Sequence, residues 1–202
     1  MNIKKSMQYT QYGRSMIEML GVLAIIGVLS VGGIAGYSKA MTKYRVNKTA
    51  EQISQLAQNI RTLYASQKSY NTLNSTVIKK AHLAPEDMYD NTNSTTLYNP
   101  FGGQVAVDYA GKNNSSDGKA FTIWYWGLPQ EACIELLTQD WGNGASSGLI
   151  AIGRDSEPAY RAFYGCSGTS DYACANDGVI TVDKAISLCT RAGGGNMQWK
   201  FY

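Results

Sequence analysis

Charged residues and catalytic side chains are both scarce in this sequence. Asp, Glu, Lys and Arg make up 16% of its 202 residues, against roughly 25% in ordinary soluble domains. It has one histidine, His82, and its four cysteines show no C-x-x-C spacing, which argues against zinc sites and redox catalysis. Walker A, dinucleotide-binding and zinc-hydrolase motifs are absent. We therefore expect neither an enzyme nor a cofactor, with His82 in a structural role.

Two groups of acidic residues are the candidates for a metal site. Glu86 and Asp87 are adjacent, and Asp171 lies near Asp177 in the sequence. Such carboxylates can gather calcium, but exposed turns are the simpler interpretation, so we expect no metal. The formal net charge is only +3 and no long Lys/Arg run is present. This balance predicts no specific nucleic-acid partner.

One long stretch without charge accounts for much of the deficit. From Met19 to Ser38 no charged residue occurs, which corresponds to roughly 30 Å of helix, enough to cross a bilayer. No Ala-x-Ala cleavage site closes the run, so it differs from a secretory signal peptide and should remain in the working protein. Basic residues lie on both sides of it, so the positive-inside rule does not fix its orientation.

A helix with one apolar face is predicted to follow, over residues 39–70. Apolar residues there repeat at intervals of three and four, at Met41, Tyr44, Ile53, Leu56, Ala57, Ile60, Leu63 and Tyr64. No proline interrupts residues 15–67, so the apolar run and this stretch should form one continuous helix. Its second half needs a partner for its apolar face.

Residues 71–202 read as an α+β domain. Short runs rich in β-branched and aromatic residues predict strands of a small antiparallel sheet, at Gln104 to Tyr109, Ala120 to Trp126, Leu149 to Ile152, Ala159 to Tyr164 and Met197 to Tyr202. Two short helices are expected between them, at Pro129 to Gln139 and Val182 to Arg191.

The segment before the apolar run carries a recognisable motif. Gly13 is followed by Arg14, by a single carboxylate at Glu18, and then by the apolar residues. This arrangement resembles the class III signal of type IV pilins and related pseudopilins. The resemblance implies that residues 1–13 are a leader, removed by a prepilin peptidase between Gly13 and Arg14, and that the new amine is methylated. Most family members begin the mature chain with Phe, Met or Leu, and Arg14 instead adds a second positive charge.

The position of Glu18 beside the apolar run indicates that its carboxylate needs a partner, independently of the resemblance. An ionised carboxylate near a bilayer core costs about 2.5 to 3.5 kcal/mol and needs a partner. The amine released at Arg14 is a candidate, either in the same chain or in a neighbouring subunit. In pilins the second pairing draws an incoming subunit into register, and the resemblance implies this role for Glu18. The alternative is an acidic residue at the edge of an ordinary membrane anchor.

Four glycines interrupt the apolar run, at Gly27, Gly32, Gly33 and Gly36. Each weakens a helix by up to about 1 kcal/mol relative to alanine. Gly32 and Gly36 form a small-xxx-small pair that permits close helix contact. In pilin filaments this part of the helix can unwind locally, and the glycines could replace the proline that many relatives carry. Close packing alone is the other interpretation.

The four cysteines allow three disulfide pairings, and the sequence alone does not choose between them. Cys133 and Cys189 each fall in a short predicted helix, whereas Cys166 and Cys174 flank a Ser/Gly/Asp loop. Pairing like with like gives Cys133 with Cys189 and Cys166 with Cys174. The second pair could instead be reactive. The long bridge resembles the C-terminal disulfide of type IVb pilins, and the turn Asn99-Pro100-Phe101-Gly102-Gly103 resembles one in the same class.

The resemblance implies a pilin fold, in which a long N-terminal helix with a membrane-spanning first half, residues 14–38, packs on a small antiparallel sheet. It implies a precursor in the inner membrane, with its N-terminus in the cytoplasm, that the pilus assembly machinery polymerises into a homopolymeric surface fibre for adhesion, conjugation or motility. A minor pilin or type II secretion pseudopilin is one alternative. A membrane-anchored binding module is another.

Overall fold

The computed structural model describes residues 15–90, 96–110, 117–142, 147–154, 172–174, 180–190 and 195–202. Its first element is α1, a helix of 49 residues over Met16–Tyr64. Two compact units divide the chain, Met1–Met41 and Thr42–Tyr202. The first unit contributes the apolar part of α1, and the second contains the rest of α1 and the whole sheet. The predicted helix is continuous from the apolar run into the amphipathic stretch, but it ends at Tyr64 and not at residue 70.

The sheet of the second unit has six antiparallel strands within the described residues, in the order β1-β2-β3-β6-β4-β5. Their bounds are β1 Leu97–Tyr98, β2 Gln104–Ala110, β3 Ala120–Tyr125, β4 Leu149–Arg154, β5 Tyr172–Cys174 and β6 Met197–Phe201. The last strand of the chain, β6, inserts between β3 and β4. The C-terminal strand therefore joins the two halves of the sheet.

The described part of the unit also contains three shorter helices and one 3-10 turn, namely α2 Ser75–Lys80, the turn Glu86–Met88, α3 Gln130–Thr138 and α4 Val182–Cys189. Asn74 caps α2 because its side chain accepts the Val77 N–H at 3.0 Å. Ser75 attaches α2 to the sheet, since its hydroxyl accepts the Val107 N–H at 3.0 Å.

The core of the second unit combines one face of α1 with the sheet. The buried residues of α1 follow a spacing of three and four, as an amphipathic helix requires, and are Val46, Thr49, Ala50, Gln52, Ile53, Leu56, Ala57, Ile60 and Tyr64. Two of the apolar residues expected on this face point outward instead, because Tyr44 is 63% exposed and Leu63 is 43% exposed. Thr49 and Gln52 are buried in the core instead, and the predicted face was wrong at these positions.

Most predicted elements of the domain are present with shifts of one or two residues at their ends. The sequence did not predict β1, β5, α2 or the turn Glu86–Met88. The strand expected at Ala159 to Tyr164 lies outside the described residues.

Candidate functional site

The start of α1 brings Ser15 and Glu18 together. The Ser15 carbonyl accepts the N–H groups of Glu18 at 2.9 Å and Met19 at 3.2 Å, so Ser15 is the N-terminal cap of the helix. The Glu18 carboxylate reaches back and accepts the Ser15 N–H at 3.2 Å. This is one half of a capping box, whose signature S-x-x-E is visible in the sequence as Ser15-Met16-Ile17-Glu18. Ser15 was not among the residues predicted for this site. Gly13 and Arg14 lie outside the described residues.

The apolar first half of α1 has no covering within the described chain. The helix is long and apolar enough to cross a membrane, and none of its apolar window is buried. Ile17 and Val28 are each 75% exposed, for example. Burial of a large aliphatic side chain is worth about 1.5 to 3 kcal/mol. This half of the helix therefore requires a membrane or other helices around it.

The four glycines of the apolar half lie within regular α-helix. A Cβ placed on Gly27, Gly32, Gly33 or Gly36 would have no atom within 4 Å. Nothing in the described part of this chain thus requires the absence of a side chain at these positions. Their role as close-packing or unwinding positions remains a prediction about contacts with other helices.

Polar contacts also join the second half of α1 to the sheet and short helices of the second unit, which together with it form the head. Lys43 forms an ion pair with Glu135 of α3, and the Arg45 guanidinium lies over the Phe101 ring at 5.9 Å. Both contacts are on the exposed side of the helix. Exposed ion pairs contribute about 0 to 1 kcal/mol. We therefore attribute the attachment of the head mainly to the apolar core. Polar contacts of this kind contribute to its orientation.

Gln52 is a buried polar residue of α1 in that core. Its Nε2 donates to Asp87 Oδ2 at 3.0 Å, and its Oε1 accepts from the Tyr125 hydroxyl at 3.5 Å. Asp87 also lies 3.5 Å from the Lys48 amine. Burial raises the pKa of Tyr125 well above its usual range, so this phenol stays neutral and can donate. The network joins α1, the 3-10 turn and β3.

The predicted turn at Asn99 is built around the amide of that residue. The Asn99 side chain accepts the N–H groups of Phe101 at 2.9 Å and Gly103 at 3.2 Å, and donates to the Trp126 carbonyl at 2.9 Å. Gly102 has φ of +83°, a conformation that favours glycine. A Cβ on Gly103 would overlap the Trp126 carbonyl oxygen. These requirements explain the asparagine and the two glycines of this turn.

A disulfide joins α3 to α4. It connects Cys133 to Cys189, with 5.9 Å between the two Cα atoms, the pairing favoured from the sequence. Cys174 lies in β5, where it pairs with Ala151 of β4. Cys166 lies outside the described residues, so its pairing with Cys174 stays a prediction.

Among the candidate chemical residues, His82 and Asp87 make contacts within the second unit. His82 is exposed, has φ of 49°, and its ring centroid lies 5.6 Å from that of Tyr89. Asp87 bonds to Gln52 and Lys48 as described above, while Asp171 and Asp177 lie outside the described residues. Within the described ranges, no group of three or more His, Cys, Asp or Glu side chains could hold a metal ion.

Two cations are partly or wholly buried near the C-terminal strand. Lys200 of β6 is 2% exposed, and burial lowers the pKa of its amine to about 8. Arg61 of α1 donates from Nε to the Tyr202 carbonyl at 3.0 Å and lies over the Phe201 ring at 5.3 Å. A Cβ on Gly148 would overlap the Arg61 guanidinium. Arg61 therefore anchors the end of the chain to α1.

The family model for Bundlin matches residues 38–201. The chain belongs to the Bundlin family. The match lies almost wholly beyond the apolar half of α1, so it is independent of the Gly13 to Leu20 motif.

Individual relatives of this pilin agree with the family match. The major structural subunit of bundle-forming pilus from Escherichia coli O111:H- is 29% identical over 184 residues, which cover 91% of this chain and 90% of the relative. The toxin coregulated pilin of Vibrio cholerae serotype O1 is 26% identical over 129 residues, covering 63% and 57%. The crystal structure of the type IV b pilin from Salmonella typhi shares the fold, with a TM-score of 0.52 and 20% identity over 77% of this chain and 98% of that chain.

The predicted α+β fold, with its long N-terminal helix and small antiparallel sheet, is thereby confirmed as that of a type IVb pilin. In this pilin the residues proposed for assembly, Glu18 and the glycines, lie in the first unit, and the disulfide lies in the second. The structure adds Ser15 to the residues predicted for the start of α1, which are Gly13, Arg14 and Glu18.

Proposed function

We propose that this pilin, a structural pilus subunit, is held in the inner membrane by the apolar half of α1 and then polymerises through that same half into a surface fibre. This proposal is supported by the exposure of the apolar half of α1, which nothing in the described chain covers. A bilayer covers it in the precursor, and copies of the helix cover it in the fibre. The prepilin peptidase, which cuts between Gly13 and Arg14, and the inner-membrane assembly machinery are the partners this route requires.

The charge balance supports bundling of identical subunits. Removal of residues 1–13 takes away Lys4 and Lys5 and no acidic residue, so 16 basic and 15 acidic residues remain of the original 18 and 15, a net charge of +1. Copies with so little net charge repel each other weakly.

Glu18 supplies the register in this proposal. It is the only charged residue from Ser15 to Ser38, and a carboxylate surrounded by apolar helices is stabilised only where a cation meets it. The amine on Arg14 of an adjoining copy fits that requirement at one axial offset. An apolar interface alone would tolerate many offsets.

The test compares Glu18→Ala with Glu51→Ala in the native host. Glu51 lies on the same helix but in the head, where it is exposed and contacts Lys48 at 3.3 Å. Intact mass of the membrane fraction and of sheared fibres gives processing and assembly separately. We expect both variants to be cleaved after Gly13 and to remain in the membrane, and only Glu18→Ala to lose assembly into fibres.

The same measurement separates the alternatives. Parental chain that starts at Arg14 but stays in the membrane fraction would favour a minor pilin or pseudopilin. Normal assembly of Glu18→Ala would contradict the registration role. An uncut parental N-terminus in both fractions would leave a tethered binding module, in which the helix serves only as an anchor.

A further inference from the structure

The carboxylate of Glu18 already has a partner in its own chain. It accepts the Ser15 N–H at 3.2 Å, and the Ser15 carbonyl in turn accepts the Glu18 N–H at 2.9 Å. A hydrogen bond from a backbone N–H to an ionised carboxylate is stronger than one between neutral groups. In a medium of low dielectric constant its strength increases further. The Glu18 side chain is therefore held in one direction, back toward the start of the helix.

The direction of the Glu18 side chain determines which groups its carboxylate can bind. Glu18 holds the nitrogen of Ser15, which is bonded directly to Arg14, the residue that carries the new amine if the leader is removed after Gly13. Glu18 Oε2 accepts this bond, and within the described residues the other oxygen, Oε1, has no partner. The carboxylate can thus keep its bond to Ser15 and still accept a cation from another chain.

We infer that Ser15 is a positioning residue for subunit registration. Its backbone N–H fixes the Glu18 carboxylate at the start of α1, with one oxygen left to receive the amine of an adjoining copy. The inference rests on the proposed polymerisation through α1. In this scheme Ser15 makes no contact with the incoming subunit and acts only through Glu18.

The capping box has an ordinary role that must be separated from this one. Caps stabilise helix ends by about 0.5 to 2 kcal/mol, and that stabilisation would affect the helix whatever Glu18 binds. The variant Ser15→Pro removes the N–H but suits the cap position, because Pro85 and Pro129 are the N-cap residues of the turn Glu86–Met88 and of α3 in this chain. Ser15→Ala is the matched control, since it keeps the N–H and loses only the hydroxyl.

The experiment expresses each variant in full length in the native host. Intact mass reports cleavage, circular dichroism of the purified chain in lipid vesicles reports helix content, and sheared fibres report assembly. We expect Ser15→Ala to resemble the parent. We expect Ser15→Pro to be cleaved and equally helical but to yield about tenfold less fibre, as loss of a hydrogen bond to a charged group implies. Parental fibre yield from cleaved Ser15→Pro would overturn the inference.

Glu18→Ala separates this inference from the proposed function. If Glu18→Ala fails to assemble while Ser15→Pro assembles normally, Ser15 has no positioning role and the registration by Glu18 stands. If Glu18→Ala itself assembles normally, the proposed function fails and the inference fails with it.

A spectroscopic measurement decides the case in which Ser15→Pro is not cleaved. The processed parent, labelled with nitrogen-15 in serine and carbon-13 in the glutamate carboxyl, is placed in lipid vesicles for solid-state NMR. A dipolar coupling that is present in the parent and absent in Glu18→Ala supports the Ser15–Glu18 contact. No such coupling in the parent would overturn the inference. A purely structural cap elsewhere on the helix would not produce this signature.

Discussion

Replacement of Lys200 by methionine should stabilise the head at neutral pH. Lys200 lies in the central strand β6, in register with Thr122 of β3 and Ala151 of β4, and is 2% exposed. Burial lowers the pKa of its amine from 10.5 to about 8. The folded protein thus carries at pH 7 an ammonium group that the unfolded chain would hydrate better. Methionine fills a similar volume without that charge.

The size of the effect follows from the pKa difference. Each pKa unit is worth about 1.4 kcal/mol, so the full difference would be about 3 kcal/mol. The pKa of about 8 already includes the attraction to Asp117, which raises it. Solvent screening reduces the difference in free energy, and we expect a gain of about 1 to 2 kcal/mol at pH 7. Between pH 8 and pH 10.5 the unfolded chain binds more protons than the folded one at this lysine. The stability of the parent therefore rises with pH in that window, and the advantage of Lys200→Met shrinks.

The assay is denaturant unfolding of the full chain in detergent, followed by tryptophan fluorescence, at pH 7 and at pH 9.5. Trp199 is fully buried in the same strand and lies 5.6 Å from Trp141 between ring centroids, so the signal reports this region. Lys119→Met is the control, because that side chain is 65% exposed beside the same Asp117; its stability should change by less than about 0.5 kcal/mol. This expectation is contradicted if Lys200→Met is less stable than the parent at pH 7. It is also contradicted if the difference in stability between the two does not shrink by pH 9.5.

Two further predictions concern covalent and steric constraints of the head. Replacement of both Cys133 and Cys189 by serine should reduce the free energy of unfolding by up to about 4 kcal/mol, because the bridge closes a loop with a sequence separation of 56; the same assay measures it. Gly103→Ala should destabilise the head by more than about 3 kcal/mol, since its Cβ would overlap the Trp126 carbonyl. Gly102→Ala should cost only about 1 kcal/mol, because φ is +83° but the space is open; equal losses at the two glycines would contradict this account of the turn.

The parts of the fold that the sequence predicted are those with a long or strongly periodic signal. The uncharged run to Ser38 and the spacing from Ile53 to Tyr64 both extend over several turns, so a continuous helix follows from them. Strands β2, β3 and β6 have five to seven residues rich in β-branched and aromatic side chains. Such runs differ enough from their Gly- and Asn-rich surroundings to be recognised.

The elements that escaped prediction depend on tertiary partners. Strand β1 has two residues, and it exists because Leu97 and Tyr98 pair with β2 across the turn that Asn99 organises. Gln52 is buried in the helix because Asp87 and Tyr125 satisfy its amide. Neither partner is a neighbour in sequence, so no local pattern distinguishes this glutamine from the exposed ones.

Glu18 illustrates how a local signal and a long-range requirement meet in one side chain. The uncharged run beside Glu18 indicates that its carboxylate needs a partner near the bilayer core, and the resemblance to the class III signal implies the amine of Arg14 as that partner. The S-x-x-E signature at Ser15 was equally available, but a capping box explains Glu18 without any second subunit. The two roles are compatible because a carboxylate has two oxygens, and the Ser15 N–H occupies one of them. A residue that served the cap alone would tolerate glutamine, which retains one acceptor oxygen. A residue that also receives an amine in an apolar fibre core would not, because the charge is what makes one axial offset preferable to the others.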